Sequence, residues 1–388
     1  MNQLKFIALL SVTVVVILFL HFPVFLLLNR PPEEAKSRAE THKARLKGHE
    51  VVRFESRTVH EDELGAFFDR FPQSHEKKEP HELRRTTKIH IRVKSGDVEP
   101  EEADGESKQE VDDGKPDIAR IRRHANTTVV TALLDIGRGD WETYQRPLKK
   151  YHNFMKNVLA LKVPMVVFVD AKSFMFVRRM RALLGLKEIT KVWRIDTSDL
   201  PLFQYHTYAK QIIDQEQSGN AWREEWDPKM KRHPEATSAE YNLVVNSKSY
   251  FLYNTTLENP FGTNFFTWLD AGYGHGDVTV FPQHFYWFPT FPPSKITLIK
   301  LTPKGNLVSK YDLGSLYRIN ISVVSGGFLA GDAEAIHNFY VLFQRRIVEL
   351  LARNVIDDDQ TVLCLLIKDY PSLFELEHAD WFDAFQLF

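Results

Sequence analysis

Carboxylates fall where apolar runs stop. Asp135 ends the run Thr131-Ala132-Leu133-Leu134, Asp170 ends Val166-Val167-Phe168-Val169, and Asp270 ends Phe265-Phe266-Thr267-Trp268-Leu269. A fourth group, Asp357-Asp358-Asp359, precedes the apolar run 361–367. Acids carried on the ends of buried strands line the ligand crevices of open α/β sheets. Gly272 and Gly274, just after Asp270, let backbone approach a ligand closely. A competing reading gives Asp270 only a tight turn to cap, and the two stand level. A nucleoside diphosphate site needs such strand-end acids for ribose and base, and positive charge for phosphate. Arg138 and Lys248 are the basic residues best placed in sequence to supply that charge. For Lys248 a solvated helix face competes equally. Such a site often adds Mg²⁺ or Mn²⁺, held by carboxylates beside phosphate oxygens. Asp270 is the metal ligand expected here. His275 and Asp277 could complete it, although a polar loop accounts for both more simply. At Asp357, Asp358 and Asp359, helix capping and dipole complementarity account for at least one of the three.

Other chemistries fit less well. The chain has no Gly-x-x-x-x-Gly-Lys-Ser/Thr loop, no Gly-x-Ser-x-Gly elbow and no His-Glu-x-x-His. These absences disfavour the corresponding ATPases, α/β-hydrolases and zinc proteases. The single cysteine, Cys364, sits in Val362-Leu363-Cys364-Leu365-Leu366 and reads as a small core residue. A net charge of −1 with no basic stripe gives no support for nucleic acid as a partner.

The elements that would carry these residues alternate. The β-branched run 127–136 predicts a strand, followed by a polar turn at 137–140. Tyr144, Leu148, Tyr151, Met155 and Val158 recur at helical spacing. Residues 163–169 predict a second strand, 174–186 a helix and 191–195 a short strand. A polar, aromatic loop covers 222–234, and one long helix 237–257 is stopped by Asn259-Pro260. The strand ending at Asp270 follows, then an irregular wall or lid at 281–293 with four prolines. Strands are predicted at 295–302 and 317–323. Gly326-Gly327 is expected in a turn leading to a short strand, and Asp332 as the cap of the helix after it. A last helix is predicted at 361–368. Alternation of this kind implies an α/β fold with a mostly parallel sheet flanked by helices.

Three regions differ in composition. Residues 1–30 contain the apolar run 6–28, long enough to cross a membrane and followed by Asn29-Arg30-Pro31-Pro32, a poor cleavage site. It reads as an uncleaved signal anchor, with the membrane as partner. Residues 31–125 are charged and read as a largely disordered stem. Residues 126–388 form the folded body. Basic residues soon after the span favour a cytosolic body. The sequons at Asn126, Asn254 and Asn320 favour a luminal, glycosylated one, with Asn254 in a helix that could bury it.

In this order the landmarks resemble the HtrL/YibB family. They are Thr131-Ala132-Leu133-Leu134-Asp135-Ile136-Gly137-Arg138-Gly139, Trp141, Tyr144, Glu240-Tyr241-Asn242, Lys248 and Asn259-Pro260-Phe261. Trp268-Leu269-Asp270-Ala271-Gly272, Gly326-Gly327-Phe328 and Asp359-Gln360 complete the set. The resemblance spans about residues 127–385. The layout is also similar to GT-A glycosyltransferases, in which an Asp-x-Asp motif ends a central strand and binds metal and nucleotide sugar. Asp270-Ala271-Gly272 keeps the first acid and lacks the second, which sets direct metal chelation in question. By this likeness Gly326 and Gly327 belong to an acceptor-side glycine turn. Asp359 takes the position that contacts donor sugar or acts as general base.

The implied function is a type II membrane glycosyltransferase of the Golgi or ER. It would move a sugar from a nucleotide-sugar donor to a glycan or protein acceptor. Asp135, Arg138, Lys248, Asp270, Gly326 and Gly327 would hold the donor, Asp359 would serve as catalytic base, and Mn²⁺ or Mg²⁺ would assist. The alternatives are a non-catalytic luminal glycan-binding or scaffold protein with a degenerate GT-A-like fold, and a signal-anchored body facing the cytosol.

Overall fold

The computed structural model describes residues 116–388. The expected anchor at 6–28 and most of the stem lie outside the described residues. The folded part begins earlier than expected. Helix α1 (Ile118–His124) is capped by Asp117 and buries Ile121 with Leu186 and Ile189.

Seven strands form one sheet: β1 (Thr127–Leu133), β2 (Met165–Val169), β3 (Thr190–Arg194), β4 (Phe265–Leu269), β5 (Ile296–Lys300), β6 (Val324–Asp332) and β7 (Phe374–His378). Their order is β3-β2-β1-β4-β6-β5-β7. β1 pairs in parallel with β2 and with β4, and β5 pairs in parallel with β7. β6 runs antiparallel to both its neighbours. The chain therefore steps outward from β1 to β3 and returns to β4 on the other side of β1. That reversal leaves a crevice at the carboxyl ends of β1 and β4, where open α/β sheets bind ligands.

Both sheet faces are covered, which is why β2 is apolar along its whole length and β1 and β4 admit only threonine as a polar residue. Helices α2 (Leu148–Ala160) and α3 (Ala171–Leu183) cover one face. There Met155, Val158, Leu159 and Val177 pack with Val129, Leu133, Val167 and Leu269. The proline-rich segment joins this core through Trp287 and Phe291, so it is a wall rather than a lid. The C-terminal segment joins it too, with Phe388 stacked on Phe328 and its carbonyl bonded by Trp287. Helices α4 (His206–Gln217), α5 (Pro234–Thr237), α6 (Ala239–Val245), α7 (Lys248–Glu258), α8 (Leu313–Leu316), α9 (Ala333–Ala352), α10 (Asp359–Asp369) and α11 (Ala384–Leu387) complete the set. On the other face, Phe251 of α7 packs against Phe168 and stacks on Trp268.

Three local expectations change, and two elements are new. The single helix expected at 237–257 is broken between α6 and α7. There Asn246 Nδ2 and Ser247 Oγ bond the carbonyls of Asn242 and Leu243, taking up the preceding turn. Residues 317–323 form no strand. Gly326 and Gly327 lie inside the long strand β6 and make no turn. β7 and α4 fall in segments for which no element was predicted.

Candidate functional site

The crevice holds a cavity of about 610 Å³. Its floor is the ends of β1 and β4 and the start of β6, and Trp381 and Phe382 close one side.

Asp270 stands at the centre. Its backbone N–H bonds Gly327 O, which continues the β4–β6 ladder one residue past the strand. Its Oδ1 accepts from Trp268 Nε1 at 2.8 Å and lies 3.2 Å from Lys248 Nζ. The second oxygen, Oδ2, faces the space that Gly327 leaves by lacking a side chain. Lys248, the first residue of α7, is 7 % exposed. It donates to Gly326 O at 2.8 Å and to Asp359 Oδ2 at 2.8 Å. Burial works against its charge, but the two carboxylates outweigh burial and hold its pKa above the ordinary lysine value. Two hydrogen bonds and the ion pair to Asp270 therefore hold it among protein oxygens, at the edge of the cavity where the sequence placed it for phosphate.

Asp359 opens α10, where the helix dipole favours an anion. Burial raises its pKa, and Lys248 opposes that rise. A Cβ at Gly326 would stand 2.8 Å from Asp359 Cγ and overlap Oδ2, so a side chain there would displace the carboxylate. Asp358 is the N-cap and accepts from the Gln360 and Thr361 N–H groups. Behind them Arg318, fully buried, bonds Glu216, Asp357 and the Ile356 and Glu235 carbonyls. Asn246 Nδ2 holds Asp357 O at 2.7 Å. This network fixes the loop that delivers Asp358 and Asp359.

Positive charge enters from the β1–α2 loop. Gly137 takes a left-handed conformation, φ 74°, and its N–H bonds Asp135 Oδ1. Arg138 then turns into the crevice, donating to Tyr144 O and Tyr151 OH and lying over the Trp141 and Tyr241 rings. Arg146 N–H closes the loop on Arg138 O. The Arg146 guanidinium lies over the Tyr151 and Phe154 rings. Among the described residues neither Arg138 nor Arg146 has a carboxylate at ion-pair distance. Cations held by aromatic faces and left without an anion suit an anionic ligand.

The crevice thus gathers Asp135, Arg138, Lys248, Asp270, Gly326, Gly327 and Asp359. Asp135 has one oxygen on Gly137 N and the other on Lys172. Arg146, Trp381 and Phe382 also line it and had no sequence signal beyond charge and aromatic density. The proposed ligand set Asp270, His275 and Asp277 does not assemble. Asp277 Oδ1 accepts from Thr279 N and Oγ1, and the exposed His275 leans on Phe154 and Phe382. Among the described residues no three His, Cys, Asp or Glu side chains converge as a metal group. A divalent cation therefore does not fit the donor set at Asp270 while the Lys248 ammonium lies among those oxygens. The sequons differ in access. Asn320 is exposed, Asn126 is half-buried and accepts from Asn264, and Asn254 is half-buried on α7.

A sequence model of the family described as "Bacterial protein of unknown function (HtrL_YibB)" matches residues 125–388. The chain is 27 % identical over 276 residues to Protein HtrL of Escherichia coli K12, covering 68 % of this chain and 93 % of that protein. Among solved structures, mouse xyloside xylosyltransferase 1 in its apo form aligns with a TM-score of 0.33 and 10 % identity, over 65 % of this chain and 84 % of that one. A score that low carries neither fold nor activity across.

Proposed function

We propose that this chain, which belongs to the HtrL/YibB family, is a glycosyltransferase that takes a nucleoside diphosphate sugar into the crevice between β1 and β4. The observation that carries this reading is the division of charge across one cavity. Arg138 and Arg146 line one part of it with no carboxylate at ion-pair distance among the described residues, and Asp270, with one oxygen taken by Trp268 and Lys248, lines another. A diphosphate needs the first, and the hydroxyls of a sugar or ribose need the second.

In this reading the arginines neutralise charge as the diphosphate leaves. Asp270 Oδ2 accepts from a donor hydroxyl. The acceptor hydroxyl loses a proton as the new glycosidic bond forms, which calls for a general base. Asp359 is that base by position, and its raised pKa makes it a stronger one than an exposed carboxylate. Aromatic side chains at the rim, Trp381 and Phe382, suit stacking against an acceptor sugar.

Calorimetric titration of the full chain with UDP, GDP and CMP tests the reading. Binding of one nucleotide, with stabilisation that rises with its concentration, supports a transferase and names the donor class. A folded protein that binds none of them refutes it and turns attention to glycan binding without catalysis. The GT-A-like ancestry, the anchor at 6–28 and a luminal, type II orientation in the Golgi or ER belong to the same proposal. A loss of mass on enzymatic deglycosylation of the expressed protein, abolished by Asn320→Gln, supports the luminal orientation. A loss of mass that Asn320→Gln leaves unchanged assigns the glycan to another sequon.

A further inference from the structure

Three oxygens of two chemical kinds converge on one point beneath the cavity: Asp270 Oδ1, Asp359 Oδ2 and the Gly326 carbonyl. Carboxylate and carbonyl oxygens are the donors that Mg²⁺ and Mn²⁺ take. The point is filled by Lys248 Nζ, at 3.2, 2.8 and 2.8 Å from them. An ammonium has three protons and no acceptor; here it donates to Gly326 O and Asp359 Oδ2 and forms an ion pair with Asp270 Oδ1.

We propose that the Lys248 ammonium is the resident cation of this site, standing where a divalent metal would otherwise join Asp270 to Asp359, so that ligand binding here is independent of metal. The inference deepens the transferase reading and rests on it only for the identity of the ligand.

The surroundings are built around that ammonium. Gly326 presents its carbonyl to Lys248, and its missing side chain makes room for the Asp359 carboxylate. Trp268 Nε1 bonds the same oxygen of Asp270 that faces Lys248, which leaves Oδ2 beside the bare backbone of Gly327. The two flanking acids keep the lysine charged despite its burial. A tether through α7 holds this cation at one position, whereas a bound metal exchanges with solvent. It supplies one positive charge rather than two. The remaining charge of a diphosphate then falls to Arg138 and Arg146, which have no carboxylate at ion-pair distance among the described residues. Lys248 is therefore a positioning residue: it orients Asp270 and Asp359 and does not touch ligand.

The test is Mn²⁺ titration of the full chain, followed by electron paramagnetic resonance, on wild type and on Lys248→Ala. Wild type is expected to take up no specific Mn²⁺. Lys248→Ala is expected to gain one Mn²⁺ site, lost again in Lys248→Ala with Asp270→Asn. A merely structural role for the lysine would not create a metal site. A wild-type Mn²⁺ site abolished by Asp270→Asn overturns the inference, as does a folded Lys248→Ala that gains none. If Lys248→Ala does not fold, the wild-type titration decides: no site supports the inference, and an Asp270-dependent site ends it. In parallel, the affinity for the nucleotide found by calorimetry should change less than twofold between EDTA and Mn²⁺. A nucleotide whose binding vanishes in EDTA overturns the inference. If no nucleotide binds at all, the transferase reading fails while the Mn²⁺ titration still judges this one.

Discussion

Asp270 shows how one side chain divides its work. One oxygen is tied to Trp268 and Lys248, and the other lies beside the bare backbone of Gly327. Asp270→Asn keeps the shape and removes the charge. Hydrogen bonds to charged groups contribute about 1.5–3 kcal/mol, so nucleotide affinity should fall about 10- to 100-fold with the fold intact. Calorimetry and circular dichroism on the same sample check both halves, and unchanged affinity would remove Asp270 from the ligand site. Arg138→Ala should weaken nucleoside diphosphate by a similar factor and leave the bare nucleoside almost unaffected. Equal losses for both would instead place Arg138 against the base or ribose. Gly326→Ala drives a methyl into Asp359. Overpacking of this kind costs about 1–3 kcal/mol. Urea denaturation should register that loss together with weaker ligand binding, since the Lys248–Asp359 contact must open to admit the methyl.

At the scale of elements, the break between α6 and α7 places Lys248 at a helix start. A cation there opposes the helix dipole, and the pair of carboxylates offsets that cost. Asn246 links the break to the loop before α10, because its amide reaches both Asn242 O and Asp357 O. Asn246→Ala leaves the buried Asp357 carbonyl without this donor, at about 1–3 kcal/mol. The expected outcome is a lower urea midpoint and faster hydrogen exchange in the first turn of α10. Exchange that is unchanged there would mean the Arg318 contacts alone hold the loop. β6 is the other element that decides the site. As an antiparallel strand between β4 and β5 it brings its first residues, Ser325, Gly326 and Gly327, to the carboxyl end of β4. A parallel strand in that place would bring its last residues instead.

Over the whole molecule, burial gathers acids with raised pKa values at and behind the site. Burial, opposed by Arg318, pushes Asp357 up to about 6, and burial likewise raises Asp358, Asp359 and Glu235. A carboxyl whose pKa is higher in the folded chain binds its proton more tightly there. Its contribution to stability is complete below the unfolded pKa, about 3.9 for Asp, and is lost as pH rises through the folded value. Asp357→Asn carries no such proton. The stability of wild type relative to Asp357→Asn should therefore fall from pH 4 to 6, by up to about 1.4 kcal/mol per pH unit. Urea unfolding of both proteins at several pH values measures this, and a difference that does not move with pH would refute it. Arg318 anchors the same region. Arg318→Met would leave Glu216 and Asp357 unpaired, and removing one partner of a buried pair costs about 3–5 kcal/mol.

The strands β1, β2 and β4, the cap at Asp332, a cap somewhere among Asp357 to Asp359, and the acids at strand ends were legible in the sequence, because each is written in neighbouring residues. Apolar runs that stop at a carboxylate need no long-range partner to be recognised. The break at Asn246-Ser247 was hidden, since asparagine and serine interrupt a helix only when their side chains turn back on it. β7 was missed because the alternation in Phe374-Glu375-Leu376-Glu377-His378 lasts only five residues, the short end of a strand signal, and its partner β5 is remote in sequence. Sequence alone put Lys248 and Asp359 among the candidates and gave them separate tasks, one on phosphate and one as base. Only the tertiary structure paired them, since 111 residues of chain separate them and the contact exists only where the starts of α7 and α10 meet β6.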